Sequence, residues 1–384
     1  MSASGTSTAR LTDAAALDLY TRASIHELGR LAHARTTELH PEPYRTYVVD
    51  RNINYANVCT ACCTFCNFHA RPADQDAYVL TLAEIGRKIE ELLAIGGTQI
   101  LMQGGLLPDE SHPSGHGRPF EWYLDLLRFI RQHYPTIHIH AFSPPEIWHF
   151  HQTFGLPLRD VLLRLQDAGL ATIPGGGGEI LVDRVRRKIG AGKATTEQWL
   201  AVMRTAHQLG MQTSCTMMFG HIETIPERLE HLRRLRDLQD ETSGFVAFIH
   251  WPFQPENTPL GRWKPPPEDY TGPPDGEHLF LADAHEYLRL LALARLYLDN
   301  IPNIQASWVT MGPKIGQLAL FFGANDLGSV MMEENVVSAA GTTFRLNEEQ
   351  LRRLITDAGW TPQQRDQYYR PVPGPRPASS TATR

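Results

Sequence analysis

The sequence predicts an α/β protein, a (β/α)8 TIM-type barrel with an N-terminal helical extension. Three observations predict it: strand and helix patterns alternate along the chain, unusual short motifs follow the strands, and 384 residues suffice for one large domain. Hydrophobic residues make up 42% of the chain and charged residues 20%, as in folded globular proteins. We expect residues 1–40 to form the helical extension, 41–370 the barrel, and 371–384 a disordered tail rich in Pro, Ser and Thr.

The elements follow in a regular order after the helical segment DAAALDLYTRASIHELGRLAHART. Amphipathic segments such as TLAEIGRKIEELLAIGG, with its glycine stop, predict helices between the strands. Eight segments predict strands: TYVVDRNINY, TQILMQGG, TIHIHAFSP, ATIPGGGGEIL, MQTSCTMMFGH, GFVAFIHWPFQP, NIQASWVTMG and a short one near SVMMEE. The proline-rich segment 251–276 is too long for an ordinary connection, which predicts a lid or substrate loop.

Unusual residues follow the predicted strands at corresponding places. The motifs are QGG, SPPE, PGGGGE, GHIE, WPFQP and SWVT, each near the end of its strand. Because the carboxyl ends of parallel barrel strands meet at one face, where barrel enzymes carry their chemistry, these motifs predict a single active site.

The segment NVCTACCTFC holds four of the five cysteines within eight positions. The N-terminus lacks the pattern of a secretory signal, so we expect a reducing cytoplasmic setting in which disulfides are disfavoured. Zinc usually takes two separated ligand pairs, and Cys215 stands alone. An iron–sulfur cluster remains: Cys59, Cys63 and Cys66 give C-x3-C-x2-C, and Cys59, Cys62 and Cys66 give the alternative C-x2-C-x3-C.

Charge and hydropathy argue against two classes of partner. The formal net charge is −6, whereas nucleic-acid-binding domains usually carry a basic surface. No apolar run reaches the ~20 residues needed to span a bilayer. We therefore expect neither a nucleic acid nor a membrane as the main partner.

An ordered set of motifs resembles one enzyme family from about residue 46 to residue 369. It comprises DRNINYANVC, LMQGG, SPPEI, GLATIPGGGGEIL, MMFGHIET, LQDETSGFVAFI, WPFQP, NIQASWVTMG, FGANDLGSVMMEENVVSAAG and QRDQYY. The set resembles the cyclic dehypoxanthine futalosine synthases, a radical S-adenosylmethionine branch of the futalosine route to menaquinone. QDETSGF and WPFQP favour this family over its paralogues, the aminofutalosine synthases and the deazaflavin (FO) synthases.

The resemblance implies a [4Fe-4S] cluster held by Cys59, Cys63 and Cys66, with S-adenosyl-L-methionine bound at the open iron. This ligand register places Phe68 two residues after the last cysteine, as in the superfamily. The implied reaction is hydrogen abstraction from the ribose C4′ of dehypoxanthine futalosine by a 5′-deoxyadenosyl radical, followed by radical addition to the benzoate ring. An electron donor such as flavodoxin or ferredoxin is implied as a partner.

The resemblance also implies further site residues, each with a plainer structural alternative such as core packing, a turn or a helix cap. For the cofactor these are Phe68, Gly104, Gly105, Ser143 and Glu179. For proton removal they are His221 and Glu223, and for the substrate they are Trp251, Trp308, Asn325, Asp326 and Glu333. A non-enzymatic iron–sulfur electron-transfer or sensor protein is the alternative from another class, and cleavage of S-adenosylmethionine separates it from an enzyme.

Overall fold

The computed structural model describes residues 10–108, 119–333 and 335–373, so the predicted tail lies outside the described residues beyond position 373. Its strands form one parallel sheet in the order β10-β1-β9-β8-β7-β6-β5-β4-β3-β2. They are β1 (Tyr44–Val48), β2 (Asp50–Asn54), β3 (Gln99–Gln103), β4 (His138–Ala141), β5 (Thr172–Ile173), β6 (Gln212–Phe219), β7 (Phe245–Pro252), β8 (Asn303–Gln305), β9 (Asp326–Ser329) and β10 (Thr361–Gln364).

The sheet differs from the prediction at its first strand. The predicted strand TYVVDRNINY is two strands, β1 and β2, separated by Val49 alone. β1 pairs with β9 and β10, whereas β2 pairs with β3 at the other end of the sheet. One extended segment thus joins both ends of the sheet and curls it into a barrel-like shape. The predicted parallel α/β barrel is confirmed, with β10 as a strand that the sequence analysis did not predict.

Helices cover the outside of the sheet. Several begin with a reciprocal cap: a Thr or Asn side chain bonds to the backbone of the residue three positions later, and the Glu or Gln side chain of that residue bonds back to the backbone of the Thr or Asn. Among the described residues no helix is long and apolar enough to cross a membrane. The helices are α1 (Asp13–Arg22), α2 (Ile25–Leu39), α3 (Leu82–Ala94), α4 (Pro119–His133), α5 (Pro144–Thr153), α6 (Leu158–Ala168), α7 (Asp183–Ile189), α8 (Thr196–Gln208), α9 (Ile225–Thr242), α10 (Ala284–Tyr297), α11 (Trp308–Met311), α12 (Pro313–Ala319) and α13 (Glu348–Asp357).

The N-terminal helices α1 and α2 pack on the barrel's outer layer. The guanidinium of Arg289 in α10 donates to the carbonyl oxygens of Tyr20 and Ala23 at 2.5 and 2.6 Å. Tyr20 is buried, and its hydroxyl donates to Glu286 at 2.6 Å. Hydrogen bonds and buried side chains therefore join the N-terminal extension to the barrel helices.

The proline-rich segment 251–276 contains one short 3-10 turn, Leu260–Arg262. The backbone N–H of Leu260 donates to the carbonyl oxygen of Thr64 at 2.8 Å, and the Leu260 side chain is fully buried. The segment is thus anchored on the cysteine-bearing loop. Its role as a lid or substrate loop stays a prediction.

Burial of His140, His231 and His250 makes stability depend on pH. Burial lowers the pKa of His140 well below its ordinary value, that of His231 to about 3 and that of His250 to about 4. Each gains a proton in the unfolded chain below pH ~6.5 but stays neutral when folded. Their contribution is present above that pH and is lost as the pH falls, so these three histidines together should lower the free energy of unfolding by about 4 kcal/mol from pH 7.5 to 5.5. Burial also lowers the pKa of His138 and His207 to about 4, which adds to this drop.

The variant His250→Phe tests this expectation. His250 stacks between aromatic rings, with its centroid 4.7 Å from that of Tyr287, and its Nδ1 has no hydrogen-bond partner. A phenyl ring fits such a stack and binds no proton, so the pH-dependent drop should be about 1.4 kcal/mol smaller in the variant. Anaerobic urea titrations at the two pH values measure it, and an unchanged drop would contradict the expectation.

Candidate active site

Two adjoining cavities lie within the barrel. The first, here the cysteine cavity, encloses about 310 Å³ and is lined by Cys59, Cys63 and Cys66. The second, here the lumen cavity, encloses about 220 Å³ and runs along the inner faces of the strands. The residues that line both cavities are Leu101, Gln103, Gly176, Trp251 and Val337. A molecule in the lumen cavity would therefore adjoin whatever fills the cysteine cavity.

The loop that carries the cysteines is fixed by backbone hydrogen bonds to two neighbouring segments. The N–H of Thr60 donates to Leu106 after β3 at 3.1 Å, and the N–H of Thr64 donates to Ile189 at the end of α7 at 2.8 Å. Cys62 is exposed, has the left-handed φ of 48°, and is absent from the lining of both cavities. The loop thus separates Cys62 from the three thiols that face the cavity.

The three cavity thiols differ in acidity before any metal binds. Burial raises the pKa of the Cys59 thiol and raises that of Cys63 to about 12. Burial also raises the pKa of Cys66, but the hydrogen bond with the His69 side chain, the backbone hydrogen bonds of Phe68 and His69 and the charge of His69 together outweigh this effect and leave the pKa lowered. Binding as thiolates would therefore displace protons, most of all from Cys63.

Gly104 and Gly105, at the end of β3, lie against the cysteine loop and the cavity. A Cβ at Gly105 would stand 1.9 Å from the carbonyl oxygen of Val58, and one at Gly104 would stand 2.4 Å from the Tyr55 ring. Only glycine permits this close approach. Both residues line the cysteine cavity, where the sequence analysis places the cofactor.

Glu146 is a buried carboxylate that sequence reasoning missed. It lines the cysteine cavity, and its carboxylate accepts from the Gly104 N–H at 3.0 Å, the Tyr55 hydroxyl at 2.7 Å, the Ser143 N–H at 2.7 Å and the Ser143 hydroxyl at 2.6 Å. Burial raises its pKa, and these donors partly offset the rise. The Ser-x-x-Glu spacing of a helix cap was a visible signal, but the two prolines between were interpreted as the end of a strand.

Glu179, which follows the four glycines, lies on the cysteine cavity as predicted from the resemblance. Its carboxylate accepts from the Lys193 ammonium at 2.7 Å and lies 3.6 Å from Arg186. Burial lowers the pKa of Lys193, but the charges of Glu179 and Cys63 outweigh it, so the pKa is raised and the ammonium stays charged. Lys193 was not predicted, and it places a cation beside the thiols.

The other two predicted cofactor residues also line the cysteine cavity. Phe68 packs edge-to-face on Tyr78 with ring centroids 6.3 Å apart. Ser143 is buried and donates to Glu146, so it acts in this structure as a helix cap. All five predicted cofactor residues are thus brought to one cavity.

These residues fit an iron–sulfur cluster with an open iron. Within the described ranges, no three His, Cys, Asp or Glu side chains meet closely enough to hold a single metal ion. A cluster needs a wider spacing, because each cysteine binds a different iron at its edge. Three thiols that face one cavity meet this need, and the backbone at Gly104 and Gly105 leaves the cavity open beside them.

The lumen cavity combines an apolar side with a polar one. Trp251 and Trp308 line it as predicted, together with aliphatic side chains such as Ile249 and Leu327. The indole N–H of Trp308 donates to the carbonyl oxygen of Ser329 at 3.1 Å, which fixes its ring. The polar side, which the sequence analysis missed, includes Asp50, Gln99, His140, Ser329, Arg365 and Gln367.

His221 and Glu223, predicted to remove a proton, lie outside the lining of both cavities and are fully buried. Glu223 accepts from the N–H groups of Gly220 and His221 and from Arg228 at 2.8 Å. Burial raises its pKa, but His221 and Arg228 outweigh this effect and hold it far below its usual range. In the turn after β6, backbone N–H groups and Arg228 thus engage the carboxylate, and the role of both residues in proton removal stays a prediction.

Asn325, Asp326 and Glu333, predicted to bind substrate, likewise lie outside both linings. The Asn325 side chain bonds to Arg295, Asn303 and the Ile304 backbone. Asp326 pairs with Arg365 at 2.6 Å, and Glu333 pairs with Lys88 and Arg51. The polar groups of all three residues thus have partners within the protein, and their role in substrate binding stays a prediction.

Comparison with known proteins identifies the family of this chain. Residues 53–235 match the model of the radical SAM superfamily, and residues 242–378 match that of the CofH/MqnC C-terminal region. A cyclic dehypoxanthine futalosine synthase from Halalkalibacterium halodurans is 43% identical over 94% of this chain and 91% of its own length. An aminodeoxyfutalosine synthase from Thermus thermophilus is 40% identical over 93% and 91%.

A third relative comes from an archaeon. It is the 5-amino-6-(D-ribitylamino)uracil–L-tyrosine 4-hydroxyphenyl transferase of Methanopyrus kandleri, 38% identical over 90% of this chain and 89% of its own length. Among solved structures, methylornithine synthase (PylB) superposes with a TM-score of 0.66 at 19% identity, covering 92% of this chain and 94% of the other. That likeness supports the fold. The chain belongs to the radical S-adenosylmethionine superfamily, in the branch that contains the cyclic dehypoxanthine futalosine synthases, and is a radical S-adenosylmethionine enzyme.

Proposed function

We propose that this enzyme cyclises dehypoxanthine futalosine by joining its ribose C4′ to its benzoate ring. Of the two hydrogens lost, the C4′ hydrogen atom goes to the 5′-deoxyadenosyl radical, and the ring hydrogen leaves as a proton while its electron returns to the oxidised cluster. The observation that carries the proposal is the pair of adjoining cavities, one lined by three thiols and the other by tryptophans and polar groups. The relatives named cyclic dehypoxanthine futalosine synthase, at 43% and 41% identity, support the choice of substrate.

In this proposal Cys59, Cys63 and Cys66 hold a [4Fe-4S] cluster, and S-adenosyl-L-methionine lies along Phe68, Gly104, Gly105, Ser143 and Glu179. When bound, this pair supplies a 5′-deoxyadenosyl radical, provided that a donor such as flavodoxin or ferredoxin delivers one electron. The chain's own residues do the positioning. Glu146 fixes the backbone at Gly104, and Lys193 and Glu179 set the charge beside the thiols.

The lumen cavity would hold the substrate with water excluded. Trp251 lines both cavities, so it lies where the substrate meets the cofactor. Trp308 offers an aromatic surface for the benzoate ring. The WPFQP motif, which favours the cyclase over its paralogues, borders the cysteine cavity through Trp251, Phe253 and Gln254.

Product analysis tests the proposal against the paralogous activities. Reconstituted protein is incubated anaerobically with dithionite and S-adenosylmethionine, either with dehypoxanthine futalosine or with L-tyrosine and 5-amino-6-(D-ribitylamino)uracil. We expect a cyclised product two hydrogens lighter from the first mixture and no coupled product from the second. Formation of 5′-deoxyadenosine with dehypoxanthine futalosine left intact would point to a paralogue.

A further inference from the structure

A continuous chain of hydrogen bonds forms one side of the lumen cavity, here the polar wall. Its members are Ser329, Asp50, Gln99, Gln367 and His140, and all are at most 8% exposed. Asp50 accepts from the Ser329 hydroxyl, and Gln99 bonds to both Asp50 and Gln367. Gln367 in turn contacts His140 at 3.3 Å. The proposed reaction by itself assigns no role to this wall.

Each amide in the polar wall has only one orientation that suits its neighbours. A carboxylate accepts hydrogen bonds, so the Nε2 of Gln99 must face Asp50, at 3.3 Å, and it also donates to the Oε1 of Gln367 at 2.8 Å. The Nε2 of Gln367 then donates to the Nε2 of His140, whose other ring nitrogen lies 2.7 Å from the Thr172 hydroxyl. Gln99 is thereby fixed with its Oε1 turned away from these donors and acceptors.

The Oε1 of Gln99 is left without a partner. Gln99 is 2% exposed and lines the lumen cavity, yet no described group donates to this oxygen. A buried carbonyl oxygen without a hydrogen bond is destabilising. A hydrogen-bond donor that reached this oxygen from the lumen cavity would satisfy it, whereas an aliphatic or anionic group would not.

The charges along the polar wall determine which kind of ligand group it can bind. Asp50 is the acidic group in the lining of the lumen cavity, and His140 is neutral because burial lowers its pKa. Arg365 also lines the cavity, but Asp326 neutralises it through two hydrogen bonds of 2.6 and 3.1 Å. Burial raises the pKa of Asp50, whereas the Ser329 hydroxyl and the charge of Arg365 lower it. Among its described residues the lining thus offers a ligand carboxylate no unpaired cation, whereas its acceptors suit neutral hydroxyl groups.

We propose that the polar wall binds the sugar hydroxyls of the substrate, with Gln99 and Asp50 as the acceptors. The inference rests on the proposed function, because dehypoxanthine futalosine carries a hydroxylated ribose at one end and a benzoate carboxylate at the other. It fixes the orientation of that substrate: the ribose hydroxyls face β2 and β3, and the carboxylate points away from Asp50.

A binding experiment without turnover tests the orientation. Reconstituted protein with S-adenosylmethionine but no reductant is titrated by calorimetry with dehypoxanthine futalosine and with an analogue that lacks the ribose hydroxyls. The unaltered protein should prefer the hydroxylated ligand by at least tenfold. Gln99→Met should reduce this preference about tenfold by weakening the parent ligand alone. The exposed Gln208→Met is the matched control and should leave both affinities unchanged.

Asp50→Asn is a second variant, which keeps the shape of the side chain and removes its charge. It too should reduce the preference for the hydroxylated ligand, and it keeps the inference testable if Gln99→Met does not fold. Full preference retained in folded variants would overturn the proposed orientation and leave the function standing. If the unaltered protein bound neither ligand, the proposed function would fail, and this inference with it.

Discussion

Replacing Cys63 by serine is expected to abolish the cluster. Cys63 is buried and lines the cavity beside Cys59 and Cys66, so its loss leaves two thiols where the proposal needs three. A serine hydroxyl is a poor substitute for a thiolate on iron. We expect iron in the reconstituted variant to fall from about four atoms per chain to near zero. Iron analysis and the visible absorption spectrum measure this outcome, and cleavage of S-adenosylmethionine should stop with it.

The neighbouring Cys62→Ser is the matched control. Cys62 is exposed and lines neither cavity, so this variant should keep its iron and its turnover. The two variants replace neighbouring cysteines, and each exchanges one sulfur atom for oxygen. Iron lost from Cys62→Ser but kept in Cys63→Ser would contradict the account and assign the alternative C-x2-C-x3-C register.

Replacing Glu146 by glutamine is expected to weaken S-adenosylmethionine binding by roughly 10- to 100-fold without loss of iron. The carboxylate accepts hydrogen bonds from Gly104, Tyr55 and Ser143. In glutamine an NH2 group, which donates hydrogen bonds, replaces one oxygen of the carboxylate. This group would face the donors that the carboxylate accepts from, so the backbone at Gly104 would no longer be held in place beside the cofactor cavity. Equilibrium dialysis of the unreduced, reconstituted protein measures the affinity.

Glu84→Gln provides the control for the general effect of altering a helix cap. Glu84 bonds to the backbone and hydroxyl of Thr81 at 2.8 Å each, as Glu146 does to Ser143, but it lies outside both cavity linings. It should leave the affinity for S-adenosylmethionine unchanged. Equal affinities in folded Glu146→Gln and unaltered protein would remove Glu146 from the cofactor site.

Strand ends were predictable from sequence because breakers and unusual residues mark them. The cysteine loop, Gly104 and Glu179 all reach the cysteine cavity, as their positions after strands predicted. A sequence motif that distinguishes the family need not contact the site. In QDETSGF, the Gln239 side chain accepts from the N–H of Phe245 at 2.7 Å and donates to its carbonyl oxygen at 3.0 Å, and so supports the turn before β7.

The polar wall was not predictable by the same reasoning. Asp50 and Gln99 begin their strands, whereas the sequence analysis searched the ends of strands for chemistry. Which side chains enter the lumen depends on the register between neighbours, here Asp50 opposite Gln99, and on where the first strand divides. Glu223, in the turn after β6, and Asp326, the first residue of β9, each pair with a nearby arginine, which the sequence alone did not indicate.

The central claim is tested most directly with dehypoxanthine futalosine that carries deuterium at C4′. The protein is incubated anaerobically with this substrate, S-adenosylmethionine and dithionite, and both products are analysed by mass spectrometry. The account predicts one deuterium in 5′-deoxyadenosine and a cyclised product that has lost that deuterium and one hydrogen. Unlabelled 5′-deoxyadenosine, with the substrate recovered intact and fully deuterated, would contradict it.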